Sequence, residues 1–223
     1  MTALQIPDPE IPNPARRDLL TLGSASLLAI ALPWLPARAA PDTAAIAPIQ
    51  RFNTGLLAAM KAGEQTPFAD RYRALAPIVQ QVFNLDAVLA TSIGLSWASL
   101  SDDQKARLGD AFARYTVSSY LANFNSYNGQ TFEVLPDVRT IAPDQAVVQT
   151  KLQPANGSAV ELDYVMRRFP TGWQAVDVLT NGSISRVAVQ RSDFTHLINR
   201  GGAPALVLAL NNKTANLSGG RLS

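Results

Sequence analysis

The chain has no cysteine, so a disulfide framework, a thiolate nucleophile and a lipidated-cysteine anchor are all excluded. It has a single histidine, His196, which rules out a metal site built on paired imidazoles and a switch made of coupled histidines. That lone residue reads as an exposed or capping side chain on a late helix. No G-x-S-x-G elbow accompanies the many serines, which argues against a hydrolase. Charge is sparse and mixed, with 19 basic and 17 acidic residues in 223 and no dense block of one sign. Nucleic acid is therefore not an expected partner, and transient contact with an anionic membrane surface is the most this charge supports. No catalytic group, cofactor or metal is expected.

What is present begins with an export pattern. Arg16 and Arg17 precede an apolar run of about 17 residues from Leu19 to Leu35, and Ala37-Arg38-Ala39 follows as a small-x-small cleavage signal. The paired arginines resemble the bacterial twin-arginine signal, although Ala15 and Leu19 stand where Ser or Thr and Phe are usual, so Sec export stays open. An uncleaved anchor is the other reading, but the run is short for a spanning helix. Residues 1–39 are thus expected to be a cleaved export signal, and residues 40–223 the folded domain, in the periplasm of a bacterium.

From Ala44 to Ala62, apolar residues recur at helical spacing (Ile46, Ile49, Phe52, Leu56, Met60) and Gly63 ends the run. Thr66-Pro67 gives an N-cap followed by Pro in the first helical position, with Pro77 expected to kink or divide the helix. Asn84-Leu85-Asp86 starts a short helix closed by Gly94, and Trp97 falls in a connector. Ser101 to Gln104 is a capping box opening one long helix to about Ser126. Helices thus fill about 44–127.

Beyond Asn128-Gly129 the period changes to two. Thr131–Ile141, Gln145–Gln153, Ala159–Arg168 and Trp173–Thr180 are four strand candidates separated by turn residues, giving an antiparallel sheet over about 131–180. Val160, Leu162, Tyr164 and Met166 share one face of the third strand, with Glu161, Asp163 and Arg167 on the other, solvent-facing side. Closing helices occupy about 185–212, interrupted at Gly201-Gly202, with a polar, frayed tail after Asn212. The pattern is α+β: a four-stranded antiparallel sheet packed by helices, plus a separate helical layer with a wedge between layers where apolar ligands bind.

Asp177 shares a face with Trp173, Ala175 and Leu179 by alternation, making it a lone acid on an apolar face. A buried carboxylate needs partners or a proton. A backbone cap or an ion pair with Arg186 or Arg191 is favoured over a general base. Arg167 and Arg168 read as a solvated strand end, with contact to a lipid phosphate as the lesser option.

Gly172-Trp173, Asp177-Val178, Gly182-x-Ile184-Ser185 and Arg191-Ser192-x-Phe194 resemble, in order and spacing, the MlaC family of periplasmic lipid-shuttle proteins, auxiliary components of an ABC transporter. Further matching points are Gly94-x-x-Trp97, the Ser101 to Gln104 cap, Val148-x-Thr150, Asp163-Tyr164, and Gly201 before Leu206 and Leu210. Asn181-Gly182-Ser183-Ile184-Ser185 is more similar to the hopanoid-associated HpnM branch than to the acidic-Gly-Val-Ser form of the phospholipid branch. The resemblance implies an NTF2-like cone with a helical subdomain and a soluble carrier of phospholipid or hopanoid between inner and outer membranes. Its partners would be inner-membrane ABC transporter or MCE-type components, with an outer-membrane complex as a further candidate.

On that reading the cavity wall is drawn from Trp97, Phe112, Tyr115, Tyr120, Phe124 and Tyr127 on the helical side. Val148, Leu162, Tyr164, Met166, Trp173, Leu179 and Ile184 would line it from the sheet side. The alternative is an NTF2-like enzyme acting on a polycyclic or isoprenoid lipid, with Asp177 as base.

Overall fold

The computed structural model describes residues 43–222, so the expected export signal lies outside the described residues. A short 3₁₀ turn, Thr43–Ala45, leads into α1 (Ile46–Ala62), which ends at Gly63 with φ of 60°. Helix α2 (Phe68–Val82) starts one residue later than its sequence suggests. Pro67 occupies the cap position, and the Thr66 hydroxyl donates back to the Ala62 carbonyl instead of capping α2. Pro77 lies inside α2 and does not divide it. Both Pro77 and Arg73, whose carbonyl the proline leaves without its helical donor, are exposed, so water can take that donor's place.

Phe83 bridges to Ala175, and Asn84 donates its backbone N–H to the Ala175 carbonyl at 3.0 Å. The same Asn84 accepts the Ala87 N–H through its side chain and so starts α3 (Leu85–Ile93). One residue thereby fixes where the chain leaves the sheet and turns helical. Trp97 lies in a second 3₁₀ turn, Gly94–Ser99. The Ser101 capping box forms in both directions and opens α4 (Asp102–Asn123), three residues shorter than expected.

The sheet is an antiparallel meander of five strands in sequence order: β1 (Thr131–Ala142), β2 (Gln145–Gln153), β3 (Val160–Phe169), β4 (Gly172–Thr180) and the two-residue β5 (Ile184–Ser185). The fifth is too short to leave a periodic signal. Register in β1 shifts between Val134 and Val138, around Pro136, which cannot donate to a ladder.

A second irregularity, between β3 and β4, matters more for the site. Ala175 pairs with Met166 and Asp177 with Val165, leaving Val176 as an extra residue in β4. A bulge of this kind inverts the alternation beyond it. Trp173, Ala175 and Val178 therefore belong to the core beneath the sheet, whereas Asp177 and Leu179 turn to the opposite face. Asp163 corrects a second expectation: it is 5% exposed, because the turn after β4 folds back over it, bringing Gly182 near its carboxylate and Asn181 N–H to the Glu161 carbonyl.

Helix α5 (Arg186–Ser218) runs on past the expected stop, bent at Gly201-Gly202, where the backbone leaves helical geometry. The segment after Asn212 is packed, not frayed. Leu206, Leu210, Thr214 and Ser218 recur every four residues and all are buried. Thr214 and Ser218 tolerate this because each hydroxyl donates to a carbonyl of its own helix.

Apolar burial falls into two clusters. In one, α1, α2 and the C-terminal half of α4 cover the sheet, with Phe52, Leu75, Val79, Leu121, Tyr164 and Met166 at its centre. In the other, α3 and the N-terminal half of α4 pack on α5 through Leu89, Leu108, Phe112, Phe194, Leu206 and Leu210. Helix α4 belongs to both, so the expected sheet layer and helical layer share a single 22-residue spine.

Candidate functional site

The C-terminal end of α4, with α1, the sheet and the start of α5, encloses a cavity of about 240 Å³. Its apolar wall comes from several elements: Leu56 on α1, Tyr120 on α4 and Phe124 at its C-cap, Leu162 and Tyr164 on β3, and Val178 on β4. Packing orients the tyrosines. Phe52 meets the Tyr120 ring edge-on at 4.9 Å and the Tyr164 ring at 6.1 Å, so both rings stand against a fixed neighbour. Burial pushes the Tyr120 phenol up to about 12, an effect the Arg186 guanidinium partly opposes. Burial also raises Tyr164 well above the ordinary tyrosine value, with the neighbouring Tyr120 adding to the rise. Both phenols are neutral at any physiological pH.

Polar groups gather at the mouth. Ser119 and Asn123, one helical turn apart on α4, are linked by a 3.4 Å contact, and an Arg186 Nη donates to the Ser119 hydroxyl at 3.2 Å. Thr180 at the end of β4 completes this group. Beside these, Ile184, which pairs with Thr180 in the sheet, and Val189, one turn past Arg186 on α5, expose apolar side chains at the rim. A space of about 20 Å³ continues past Tyr120, Val178 and Arg186 toward Phe112, Thr116 and Val187, into the seam between the clusters.

Asp177 stands at the end of that seam, and its carboxylate is fully engaged. One oxygen accepts the backbone N–H groups of Val178 (2.7 Å) and Val187 (3.1 Å), and the other accepts the Ser185 hydroxyl. Ser185 in turn accepts the Ala188 N–H at 2.9 Å. The pair caps the first turn of α5, where free N–H groups and the helix dipole both favour an anion. The cap reading of Asp177 thus describes its geometry, with backbone N–H groups as partners and neither Arg186 nor Arg191 paired to it.

Five of the thirteen residues singled out from sequence meet at the cavity: Tyr120, Phe124, Leu162, Tyr164 and Ile184. Phe112 reaches only the narrow extension, its ring edge-on to Phe194 at 6.0 Å. Val148, Met166 and Trp173 are core beneath the sheet. Trp97 and Tyr115 pack on the second cluster, each under a lysine, Lys105 and Lys213 respectively. Tyr127 is 40% exposed beneath Lys61. Leu179 is turned away by the bulge. Sequence reasoning passed over Leu56, Ser119, Asn123, Val178, Thr180, Arg186 and Val189. The only signal for the polar pair was Ser119 and Asn123 repeating at i, i+4 on a face that is otherwise apolar.

A family model described as MlaC protein matches residues 50–212, a span that contains every residue lining the cavity. The chain belongs to the MlaC family. A solved structure of a phospholipid-binding protein from Ralstonia solanacearum, in complex with a phospholipid, is similar to this MlaC-family chain with a TM-score of 0.67 at 21% identity. The match covers 78% of this chain and 98% of that one. At such identity the likeness is one of fold. The fold of this MlaC-family chain is the NTF2-like cone with an antiparallel sheet and an added helical layer, with five strands in place of the expected four.

Proposed function

We propose that this chain is a soluble periplasmic lipid carrier, which holds the apolar tails of a phospholipid or hopanoid in the cavity between sheet and α4. It would exchange that lipid with an inner-membrane ABC transporter or MCE-type component and deliver to, or collect from, the outer membrane. The observation that carries this reading is the cavity itself: walled largely by apolar side chains, with polar groups at its mouth, and lying within the family match. Support for lipid as the cargo comes from the Ralstonia solanacearum protein, which has the same fold and is phospholipid-bound.

Energetics favour enclosure. Burying one CH₂ is worth about 0.8 kcal/mol, so a tail of ~16 carbons gains on the order of 12 kcal/mol on leaving water. A carrier therefore has to enclose its tails, whereas headgroups can remain hydrated. Asp177, the natural base for an enzyme of this fold, accepts three hydrogen bonds at the start of α5, an arrangement that favours capping over catalysis. The similarity of Asn181 to Ser185 to the HpnM branch keeps a hopanoid among the candidate cargoes.

Solvent extraction of the purified mature protein, read by mass spectrometry, tests this. The expected result is co-purified lipid, or uptake of lipid from vesicles after delipidation. Recovery of none, with no uptake of either lipid class, would overturn the carrier reading.

A further inference from the structure

Helix α1 serves two spaces. Leu56 turns toward the cavity beside the sheet, whereas Gly55, Ala58, Ala59 and Ala62 recur at helical spacing on another face, which looks across at α2. At Gly55 the two helices touch, because a Cβ there would lie 2.7 Å from the Ile78 Cδ1. Beyond that contact the alanines are too short to fill the gap. A cleft of about 170 Å³ opens between the helices, with Asp70, Arg71, Ala74, Leu75 and Ile78 along its α2 side.

Arg71 sets this cleft apart from a mere stripe of small residues. It is 7% exposed, and its Nε and Nη1 are buried with no hydrogen-bond partner. Among the described residues no acid pairs with it, for Asp70 beside it is held by Arg73 instead. The Phe68 ring lies 5.7 Å from the guanidinium carbon, a contact that attracts the charge without neutralising it. A buried charge with no counter-ion is destabilising, and a leucine or methionine would fill the same space without that cost. With Asp70 and Arg73 cancelling, the net charge at the cleft is that of Arg71 alone.

A small anion with an apolar body answers both features. Ala58, Ala59, Leu75 and Ile78 offer it only apolar side chains, while a guanidinium takes a carboxylate through charge-assisted hydrogen bonds. The cleft has room for about six groups the size of a water molecule, and at about 170 Å³ it is well below the roughly 300–1,000 Å³ of sites for drug-sized ligands. That suits a carboxylate on a chain of about five carbons. Rotation about the last side-chain bonds of Arg71 turns its unpartnered nitrogens onto such a ligand. We propose that the cleft between α1 and α2 is a second binding site, separate from the cavity beside the sheet, and that it takes a short aliphatic monocarboxylate with its carboxylate on Arg71.

The test titrates pentanoate into isotope-labelled mature protein near neutral pH, followed by NMR, with 1-pentanol as its uncharged match. Binding is expected to saturate with a Kd on the order of 1 mM, in keeping with so small a ligand, and to shift the amide signals of α1 and α2. Arg71→Met, which keeps the stem and drops the charge, is expected to lose about tenfold in affinity for pentanoate and to leave that for 1-pentanol unchanged. Ala58→Leu fills the cleft from an exposed position with Arg71 intact, and is expected to weaken both ligands at least about tenfold. It decides the matter even if Arg71→Met folds poorly. Unchanged affinity for pentanoate in either folded variant, or no saturation of wild type by about 50 mM, would overturn the proposal.

Discussion

At the scale of single residues, Asp177 shows what sequence could and could not convey. Its identity as a lone acid among apolar neighbours was legible, and so was its need for partners. Its direction was not, because one unpaired residue, Val176, inverts the face on which everything after it lies. Nothing in the residue types marks that bulge. The three hydrogen bonds it accepts make a definite expectation: Asp177→Ala should cost about 2 kcal/mol of stability through the lost cap and two unanswered N–H groups. Chemical denaturation would show the loss, and lipid loading per folded molecule should be unchanged.

The two cavity tyrosines make a second residue-scale prediction. Below pH 10 the folded and unfolded chains both keep the Tyr120 proton. Between about 10 and about 12 the unfolded chain releases it while the folded chain holds it, so stability falls as pH rises through that window. Tyr120 is partly open to the cavity, which reduces the effect to on the order of 2 kcal/mol. Tyr164, raised in the same direction, adds to the slope. Urea midpoints measured at pH 9 and pH 11.5 should separate, and Tyr120→Phe should remove part of the separation.

At the scale of elements, the most legible features were those fixed by local chemistry. The Ser101 to Gln104 box, the Gly63 and Gly94 stops and the four main strands follow from cap and turn residues that act within a few positions of themselves. The end of α5 was not legible. Thr214 and Ser218 complete the Leu206 and Leu210 stripe, yet small hydroxyl residues read as surface unless their hydrogen bonds to the preceding turn are anticipated. The bend between the two parts of α5 rests on Gly202, whose φ of 65° and ψ of −165° is a conformation essentially confined to glycine. Gly202→Ala should therefore cost about 1–3 kcal/mol and lower the melting temperature by on the order of 5 °C. Calorimetry of the purified protein checks this. An unchanged transition would mean that α5 can take the turn without glycine.

At the scale of the whole molecule, the cavity lies on the flank of the first apolar cluster, where the C-terminal end of α4 and the start of α5 meet the sheet. Leu56 and Tyr164 belong to that cluster, and Tyr120, Phe124, Leu162 and Val178 pack against it. Sequence indicated two layers and a wedge, but it favoured bulky aromatics for the wall. Trp97, Trp173 and Phe112 went instead to the clusters, whereas Tyr120, Phe124 and Tyr164 do line the cavity. Leu56, Leu162, Val178 and a polar pair complete the wall. Its volume carries a consequence for function. About 240 Å³ is below the roughly 300–1,000 Å³ typical of sites for drug-sized ligands, and a two-tailed lipid is larger than those. Loading therefore requires the sheet and α4 to separate along the seam already marked by the narrow extension past Tyr120 and Val178. Val178 faces both spaces, so a larger side chain there would fill the closed cavity and obstruct the path by which it widens. Val178→Phe is accordingly expected to leave the melting temperature unchanged or slightly raised, since it buries added apolar surface in existing space, and to reduce lipid loaded from vesicles at least about tenfold. A variant that melts as wild type and still loads lipid fully would place the tails somewhere other than between β4 and α4.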